Sequence, residues 1–450
     1  MQEVKIIGAG LAGSEAALQL SKRGIKVKLY EMRPNKTTGA HVTGDCAEFV
    51  CSNSLGSADV SNASGLLKQE MSFLGSELLK IAYKNAVPAG NALAIAREDF
   101  SNAVTEKIAN DSNIELIREE IEKIPDGNVI IASGPLTSDK FADAIQKFTQ
   151  SEHLHFFDAI APIVEVDSIN FDKAFWASRY DKGEASYINC PMNKEEYENF
   201  YNILINAPRI EQHQVDKNSK YFESCLPVEV LASRGVDTLR FGPMKPVGLV
   251  DKRTGVENYA VVQLRQDNSA KTLFNLVGFQ TNLKWGAQKE LVHSIPGLEN
   301  ANIVRYGVMH RNTFINSSQI LNPTLESIAR EGLFFAGQIT GTEGYTESIA
   351  TGMLAGINMA RRLLGEGMLI LPRETMLGAI TFYITDKAHL AHISSRDNSL
   401  RYLPPQPINS NWGILPAIDL PKHERKNKKL KNELLAKRSA EILKDFFNKM

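Results

Sequence analysis

The fold class follows from one stretch near the start of the chain, Val4-Lys5-Ile6-Ile7-Gly8-Ala9-Gly10-Leu11-Ala12-Gly13. The apolar residues predict a buried strand, the glycines predict a tight turn, and residues 14–23 predict a helix that ends at Gly24. A second strand follows over residues 25–30 and ends in Glu31. Strand, glycine turn, helix and strand make a βαβ unit, so we expect a Rossmann-like α/β domain with a doubly wound parallel sheet.

The glycine turn has the spacing of a dinucleotide-binding loop. Gly8 permits the tight turn, Gly10 lets the backbone approach a pyrophosphate, and Gly13 lets the helix pack closely on the strand. The helix N-terminus offers N–H groups and partial positive charge to the phosphates. Glu31, 18 residues beyond Gly13, is expected to accept hydrogen bonds from the adenosine ribose. The predicted cofactor-binding residues here are Gly8, Ala9, Gly10, Leu11, Ala12, Gly13 and Glu31.

Two later segments favour FAD over NAD as the bound dinucleotide. Residues 130–135 predict a strand that runs into a small-residue turn at Gly134, and residues 333–338 predict a strand that reaches Gly337 and Gln338 ahead of a helix over 348–364. Both resemble motifs of two-dinucleotide flavoproteins, although the second motif usually carries Asp where this chain has Gln338. Because the sequence has no second GxGxxG, we expect NAD(P)H to bind only transiently.

The middle of the chain differs in composition from its two ends. Aromatic, Asn and Pro residues increase, and alternation over residues 259–264 predicts a mixed or antiparallel sheet. We therefore expect an FAD-binding domain interrupted by a smaller mixed α+β insertion domain. The predicted segments are 1–160 (FAD-binding domain, first part), 161–310 (insertion domain), 311–420 (FAD-binding domain, second part) and 421–450 (basic C-terminal helix).

Composition and charge exclude several classes of protein. With 43% hydrophobic and 23% charged residues, the chain can form a large core. The formal net charge of -1 excludes a protein coated in positive charge. However, residues 422–450 hold ten Lys and Arg against four Asp and Glu. Leu435, Ile442, Leu443 and Phe446 share one helix face there, which predicts either a docked amphipathic helix or a contact with an RNA backbone.

Cysteine use and the N-terminus indicate a cytoplasmic protein. Four cysteines are too few for a disulfide scaffold at 450 residues, and no CxxC pair suggests a metal site. The chain shows no basic signal region and no apolar run of the ~18 residues that a membrane span needs. We expect free thiols, no bound metal and no membrane.

Seven sequence blocks resemble the folate- and FAD-dependent tRNA (uracil-5-)-methyltransferase family. They run from residue 1 to about 380 in the order of that family. The blocks are residues 8–15, 30–34, 48–55, 239–249, 278–286, 305–313 and 336–341.

The resemblance implies a one-carbon transfer to RNA. 5,10-Methylenetetrahydrofolate would supply a methylene group, reduced FAD the electrons that turn it into a methyl group, and C5 of the T-loop uridine in tRNA would accept it. A related branch modifies 23S ribosomal RNA, and the sequence does not separate the two targets. The resemblance also implies that the insertion domain, residues 161–310, faces RNA and folate. No obligate protein partner is expected.

Three different functions also fit parts of the sequence. The first is a wobble-uridine flavoenzyme with a GTPase partner, whose long C-terminal helical domain is not found in this sequence. The second is a flavin oxidoreductase of a small molecule, and the third is a flavin-bound RNA chaperone. The oxidoreductase would account for the FAD motifs but would leave the cysteines and the basic C-terminus without a role.

The resemblance also implies two catalytic cysteines, Cys51 and Cys225. Uracil C5 becomes nucleophilic when a thiolate adds to C6, and Cys225 precedes a helix start expected at Pro227. We expect Cys225 to attack uracil and Cys51 to act on the flavin side or on the C5 proton, or the reverse. We expect Cys46 and Cys190 to be small buried hydrophobes.

Further residues are candidates for substrate contact, and a packing or surface role fits each of them equally well. His310 and Arg311 are candidates for folate, and Tyr345 for stacking on a ring. The cluster of Asn282, Lys284 and Trp285 suits folate or uracil, and Arg240 and Lys245 suit either phosphate or a surface ion pair.

Overall fold

A computed structural model describes residues 3–150, 154–159, 161–181, 184–210, 220–221, 226–255, 258–307, 309–387, 406–421, 423–424 and 427–449. The strands are β1 Glu3–Ile7, β2 Lys26–Tyr30, β3 Ser54–Ser57, β4 Ala86–Val87, β5 Ala92–Ile95, β6 Ile114–Ile117, β7 Asn128–Ile131, β8 Leu154–Ala159, β9 Ile163–Glu165, β10 Phe175–Ala177, β11 Tyr187–Met192, β12 Lys220–Tyr221, β13 Ala260–Gln266, β14 Leu273–Leu276, β15 Ile303–Arg305, β16 Met309–Phe314 and β17 Leu333–Phe335.

The helices lie between these strands along the chain, and the last three follow the last strand. They are α1 Leu11–Ser21, α2 Ala63–Leu74, α3 Glu77–Lys84, α4 Arg97–Ala109, α5 Asp139–Thr149, α6 Lys194–Asn206, α7 Val228–Ala232, α8 Thr238–Phe241, α9 Trp285–His293, α10 Ser317–Ile320, α11 Tyr345–Leu363, α12 Met376–Thr385 and α13 Lys428–Asn448.

A parallel sheet with strand order β17-β7-β1-β2-β6 confirms the predicted α/β domain. Strand β1 lies in the middle of the sheet, between β2 and β7. From β1 the chain first adds strands on one side, β2 and β6, and later adds β7 and β17 on the other side. Side chains alternate between two buried faces, with Ile6 and Ile130 packed on the side of α1 and α11, and Ile7 and Ile131 packed on the side of α5. Burial of both faces is the property expected of a doubly wound sheet.

Helices α1 and α11 pack at very short range, which fixes the start of α11 beside the glycine loop. A Cβ atom on Gly352 would lie 2.2 Å from the carbonyl oxygen of Ala12, and one on Gly356 would lie 2.8 Å from that of Ala16. Any larger residue at either position would separate the helices. The late part of the chain is thereby held against the first βαβ unit.

A second, antiparallel sheet has the order β10-β11-β13-β14-β9-β15 and a separate apolar core. The alternating stretch predicted near residue 260 is β13, paired with β11 and β14. The chain enters and leaves this region side by side, because β8 pairs antiparallel with β16. Exact boundaries at residues 160, 310 and 420 remain predictions.

Three local features differ from the sequence-based expectation. The apolar pattern over residues 66–84 predicts one helical stretch, but the structure has two helices there, because Gly75 adopts a left-handed φ of 81° and Ser76 caps the start of α3. Strands β3, β5 and β4 form a small sheet that was not predicted. Helix α11 begins at Tyr345 instead of Ser348.

Helix α13 docks on the parallel-sheet domain through one face. Leu435 and Leu443 are buried, and Phe446 and Ile442 are partly buried. The docked amphipathic helix is therefore confirmed, while an RNA contact of its basic face stays a prediction. Among the described residues, no helix is both long and apolar enough to cross a membrane.

Candidate active site

A deep cleft opens at the carboxyl ends of the parallel strands, where such sheets bind ligands. Its empty volume, including space open to solvent, is about 960 Å³. The glycine loop, the end of β2, the turn after β7 and the start of α11 supply its walls. Predicted cofactor-binding residues that line it are Gly8, Gly10, Leu11, Ala12, Glu31, Gly134, Gly337 and Gln338.

The glycine loop has the close approaches that the sequence predicts. A Cβ atom on Gly8, where φ is +99°, would lie 2.5 Å from the carbonyl oxygen of Ala132. A Cβ atom on Gly13 would lie 1.8 Å from the carbonyl oxygen of Gly8. A Cβ atom on Gly10 would meet nothing within 4 Å, so this position leaves room for a ligand above the N-terminus of α1.

Glu31 anchors the glycine loop to the end of β2. Its carboxylate accepts hydrogen bonds from the amide of Ala9 at 3.0 Å and from Nε of Arg33 at 2.9 Å. Burial favours the neutral acid, but the hydrogen bonds and positive charge of Arg33 outweigh it and hold the pKa of Glu31 below its ordinary value. Arg33 also donates to Glu48 at 2.9 Å. Glu31 therefore presents a stable carboxylate at the cleft.

The two late glycine turns close the other side of the cleft. Gly134 and Gly337 have φ values of 70° and 78°. Gln338, which stands where related flavoproteins carry Asp, donates through Nε2 to Glu343 at 2.8 Å. The neutral amide is thus held by a neighbouring carboxylate while its residue lines the cleft.

Cys51 follows Val50, a residue that lines this cleft. Its amide N–H donates to the hydroxyl of Tyr345 at 2.6 Å, and Tyr345 lines the cleft. The Tyr345 ring packs edge-on against Phe49 with 4.6 Å between centroids. The carbonyl oxygen of Cys51 accepts a hydrogen bond from Arg97 at 2.9 Å. The structure therefore brings together Cys51 and Tyr345, two residues that the sequence picks out separately.

The other cysteines divide into two groups. Cys46 and Cys190 are fully buried, as expected, and burial raises the pKa of both thiols, that of Cys46 to about 11. Cys225 lies outside the described residues. Helix α7 begins at Val228, so Pro227 caps the helix instead of occupying its first position.

The substrate candidates of the insertion region have unequal support. Asn282 is buried, its backbone N–H donates to Glu229 at 2.7 Å and its side chain donates to the carbonyl of Ile210, which fits a packing role, and its contact with a substrate stays a prediction. The side chain of Arg240 lies over the ring of Tyr259 at 3.5 Å and pairs with Asp237, which fits a structural role.

Of the remaining candidates, three lie at the surface and two have side chains that the structure does not describe. Lys284 is exposed at the N-cap of α9 and Lys245 is exposed. Trp285 is 61% exposed and stacks on Tyr306 with 5.6 Å between ring centroids. The side chains of His310 and Arg311 lie outside the described part of the chain.

Comparison with known proteins gives the family. A family model described as glucose inhibited division protein A matches residues 3–367. A curated protein of Anoxybacillus flavithermus, named methylenetetrahydrofolate–tRNA-(uracil-5-)-methyltransferase TrmFO, is 54% identical over 448 residues and covers 100% of both chains. Proteins with that name from Halalkalibacterium halodurans and Staphylococcus aureus are 53% identical over 99% of both chains. The chain belongs to the methylenetetrahydrofolate–tRNA-(uracil-5-)-methyltransferase family.

A solved structure of Aquifex aeolicus GidA matches the fold of this family member. The TM-score is 0.65 with 18% sequence identity, and the match covers 85% of this chain and 67% of the other. The likeness confirms the predicted Rossmann-like fold with an insertion.

Several residues of the site were not predicted for this member of the methyltransferase family. Arg33 and Glu48 fall inside the quoted sequence blocks, but a lone charge there gives no indication of burial. Arg97, at the start of α4, is 8% exposed, and Asp267, just after β13, is 4% exposed. Their side chains form an ion pair at 2.9 Å. Because 170 residues separate them, no local pattern could reveal this contact.

Proposed function

We propose that the chain forms 5-methyluridine in the T loop of tRNA, with 5,10-methylenetetrahydrofolate as one-carbon donor and reduced FAD as reductant. One observation carries the proposal: the backbone amide of Cys51 hydrogen-bonds Tyr345, which lines the dinucleotide cleft, in a chain that matches enzymes of this name along its whole length. The sequence favours no second function as strongly.

The cleft supports FAD as the resident cofactor. Leu11 and Ala12 of the first turn of α1 line the cleft, and their backbone N–H groups, which a helix start leaves without intrahelical partners, would bind the phosphates. Glu31 would hold the adenosine ribose, and Gly337 and Gln338 would lie beside the ribityl phosphate or the flavin. When bound and reduced, FAD supplies the electrons that convert the methylene group to a methyl group. NADH or NADPH would provide these electrons. We expect it to bind transiently, because the sequence has no second GxGxxG motif.

The two cysteines would divide the work on uracil. A thiolate of Cys225 adds to C6, which makes C5 nucleophilic toward the methylene carbon. Loss of the C5 proton to a base then breaks the bond between the methylene carbon and the folate nitrogen, and tetrahydrofolate leaves. The methylene group left on C5 would take up a hydride equivalent that reduced FAD supplies and so become the methyl group, and the thiolate leaves C6 as the C5–C6 double bond reforms. Cys51 is our candidate for this proton or for the flavin side of the reaction, since its backbone is fixed from both sides.

The test is a methylation assay of the FAD-loaded protein with methylenetetrahydrofolate and NADH or NADPH. Parallel reactions contain a tRNA transcript and a 23S ribosomal RNA fragment, and nucleoside mass spectrometry measures 5-methyluridine. We expect product only with tRNA, and loss of more than about 100-fold in rate for Cys51→Ala and Cys225→Ala. Cys190→Ala, in the insertion core, is the matched control.

Each outcome separates a different part of the proposal. Product only with the 23S fragment would replace the RNA target and keep the chemistry. Full activity of Cys225→Ala would refute its role as nucleophile. NADH oxidation without any RNA methylation would favour a small-molecule oxidoreductase.

A further inference from the structure

The segment from Phe49 to Asn53 is contacted by side chains from four separate parts of the fold, α4, α11, β15 and the pair β13 and β14. Tyr345 of α11 accepts from the amide of Cys51 at 2.6 Å. Arg305, at the end of β15, donates to the carbonyl of Val50 at 3.2 Å. These two partners lie 294 and 255 residues away in the chain. The position of Cys51 is therefore determined by long-range contacts.

Arg97 makes the central contact, because all of its guanidinium nitrogens have an acceptor. Nη1 donates to the carbonyl of Phe49 at 3.0 Å, Nη2 donates to that of Cys51 at 2.9 Å, and Nε donates to Asp267 at 2.9 Å. The planar fork fixes the directions of these three bonds together. The guanidinium thus sets the carbonyls on either side of Val50 relative to Asp267.

Asp267 and its neighbours lie at the antiparallel sheet β10-β11-β13-β14-β9-β15, which we call the insertion sheet. Asp267 follows β13, and its Oδ1 also accepts from Asn275 of β14 at 3.0 Å. Asn275 donates in turn to Asn53 at 3.1 Å, and Arg265 donates to the same Asn53 oxygen at 2.9 Å. Asn53 is fully buried. Side chains of the insertion sheet therefore hydrogen-bond the chain on both sides of Cys51, at Val50 and at Asn53.

We propose that Arg97 and Asp267 are positioning residues that transmit the placement of the insertion sheet to Cys51. This inference rests on the proposed function only for the statement that Cys51 takes part in methylation. Displacement of the insertion sheet, as an RNA bound there would produce, moves Asp267, and the guanidinium carries the movement to the Cys51 carbonyl. A purely structural ion pair would stabilise the fold without changing the reactivity of Cys51.

The test uses Arg97→Lys in the FAD-loaded enzyme. Lysine keeps the charge, but its single ammonium group cannot reproduce the three fixed bonds. We expect kcat for tRNA methylation to fall about tenfold or more, because a misplaced reacting group costs that much, while KM for tRNA and folate stays within about twofold. The second-order rate of Cys51 alkylation by iodoacetamide, located by tandem mass spectrometry, should change at least about threefold.

Two further variants make the result decisive. Asp267→Asn keeps an oxygen acceptor for Arg97 but removes the charge, so we expect a smaller change in the same direction. If Arg97→Lys fails to fold or to retain FAD, Asp267→Asn decides alone. Arg253→Lys is the matched control, because Arg253 pairs with Asp251 at 2.8 Å on the insertion surface and its side chain is 46% exposed.

The alkylation rate separates this inference from the proposed function. An unchanged Cys51 alkylation rate in the folded variants overturns the positioning role, even if methylation falls. A changed alkylation rate supports positioning, even if Cys51→Ala retains full methylation activity and the catalytic assignment fails. Cys46 and Cys190, with pKa values raised by burial, serve as slowly reacting internal standards.

Discussion

The amide of Cys51 donates to the hydroxyl of Tyr345 over 2.6 Å, although 294 residues separate them in the chain. Tyr345 is the first residue of α11, which the close packing of Gly352 against Ala12 holds beside the glycine loop. One hydrogen bond thus connects the dinucleotide loop, the last cofactor motif and the cysteine. The backbone of Cys51 is thereby joined to the N-terminus of α11, which lines the cleft.

Removing the Tyr345 hydroxyl should lower the rate of methylation without releasing FAD. Tyr345→Phe keeps the ring against Phe49 but leaves the Cys51 amide without this acceptor. Loss of one such bond costs about 1 kcal/mol, so we expect kcat to fall about fivefold in single-turnover assays. Tyr201→Phe, which loses a bond to the Ala232 carbonyl, is the control. Equal kcat values for Tyr345→Phe and wild type would contradict this role.

Glu31→Gln should weaken FAD binding. The charged acceptor of the Ala9 amide is lost, and the new amide group faces the guanidinium of Arg33. Hydrogen bonds to charged groups contribute about 1.5–3 kcal/mol, so the Kd measured by flavin fluorescence should rise about tenfold or more. The control is Glu115→Gln on the exposed side of β6. A Kd equal to that of wild type would remove Glu31 from the cofactor site.

The first βαβ unit was predictable because its signals are local. The signals are the alternating burial, the three glycines and the acidic residue after β2, and all of them lie within 31 residues. The structure shows the close approaches expected at Gly8 and Gly13, the open space expected at Gly10 and the parallel pairing of β1 with β2. The same holds for the strand before Gly337. Local pattern also predicted the docked face of α13, since Leu435 and Leu443 are buried.

The contacts around Cys51 were not predictable, because they join distant segments. Nothing near Arg97 in the sequence indicates that its guanidinium bonds the Cys51 carbonyl and Asp267. Asn282 is a second example, because its burial and its bond to the Ile210 carbonyl depend on a segment 72 residues away. A role of Asn282, Lys284 and Trp285 toward folate or uracil stays a prediction.

Glu70 should make folding stability depend on pH. Its carboxylate accepts from the amides of Met376 and Leu377 and from the hydroxyl of Ser439, and so joins α2, α12 and α13. Burial, which outweighs these three donors, raises the pKa of Glu70 from 4.5 to about 7. Because the folded state binds this proton more tightly than the unfolded chain, the contribution is complete below pH 4.5 and is lost as the pH rises through about 7.

Comparison with Glu70→Gln isolates this contribution. Burial also raises the pKa of Glu15 and of Glu229, so the wild-type profile alone would mix three groups. Between about pH 5 and 8, wild type should lose on the order of 2 kcal/mol of unfolding free energy relative to the variant. Urea unfolding with saturating FAD measures it. A constant difference across this range would show that Glu70 stays charged when buried.

The exposed lysines of α13 should contribute to RNA binding and to its salt dependence. Deleting the helix would be a poor test, because it would remove Leu435 and Leu443 from the core and the Ser439 hydroxyl from Glu70. Replacing only exposed lysines by Gln leaves the docked face intact. The four chosen are Lys428, Lys429, Lys437 and Lys444.

If these lysines contact phosphates, each lost contact should reduce the slope of log K against log salt by about 0.7–0.9. The melting temperature and the Kd for FAD should stay at their wild-type values, because the substituted side chains point away from the core. A control variant replaces four exposed lysines on other elements, Lys26, Lys84, Lys140 and Lys147. A fall in slope specific to the α13 variant would assign the basic face to RNA, whereas equal slopes in all three proteins would limit α13 to its packing against α2 and Glu70.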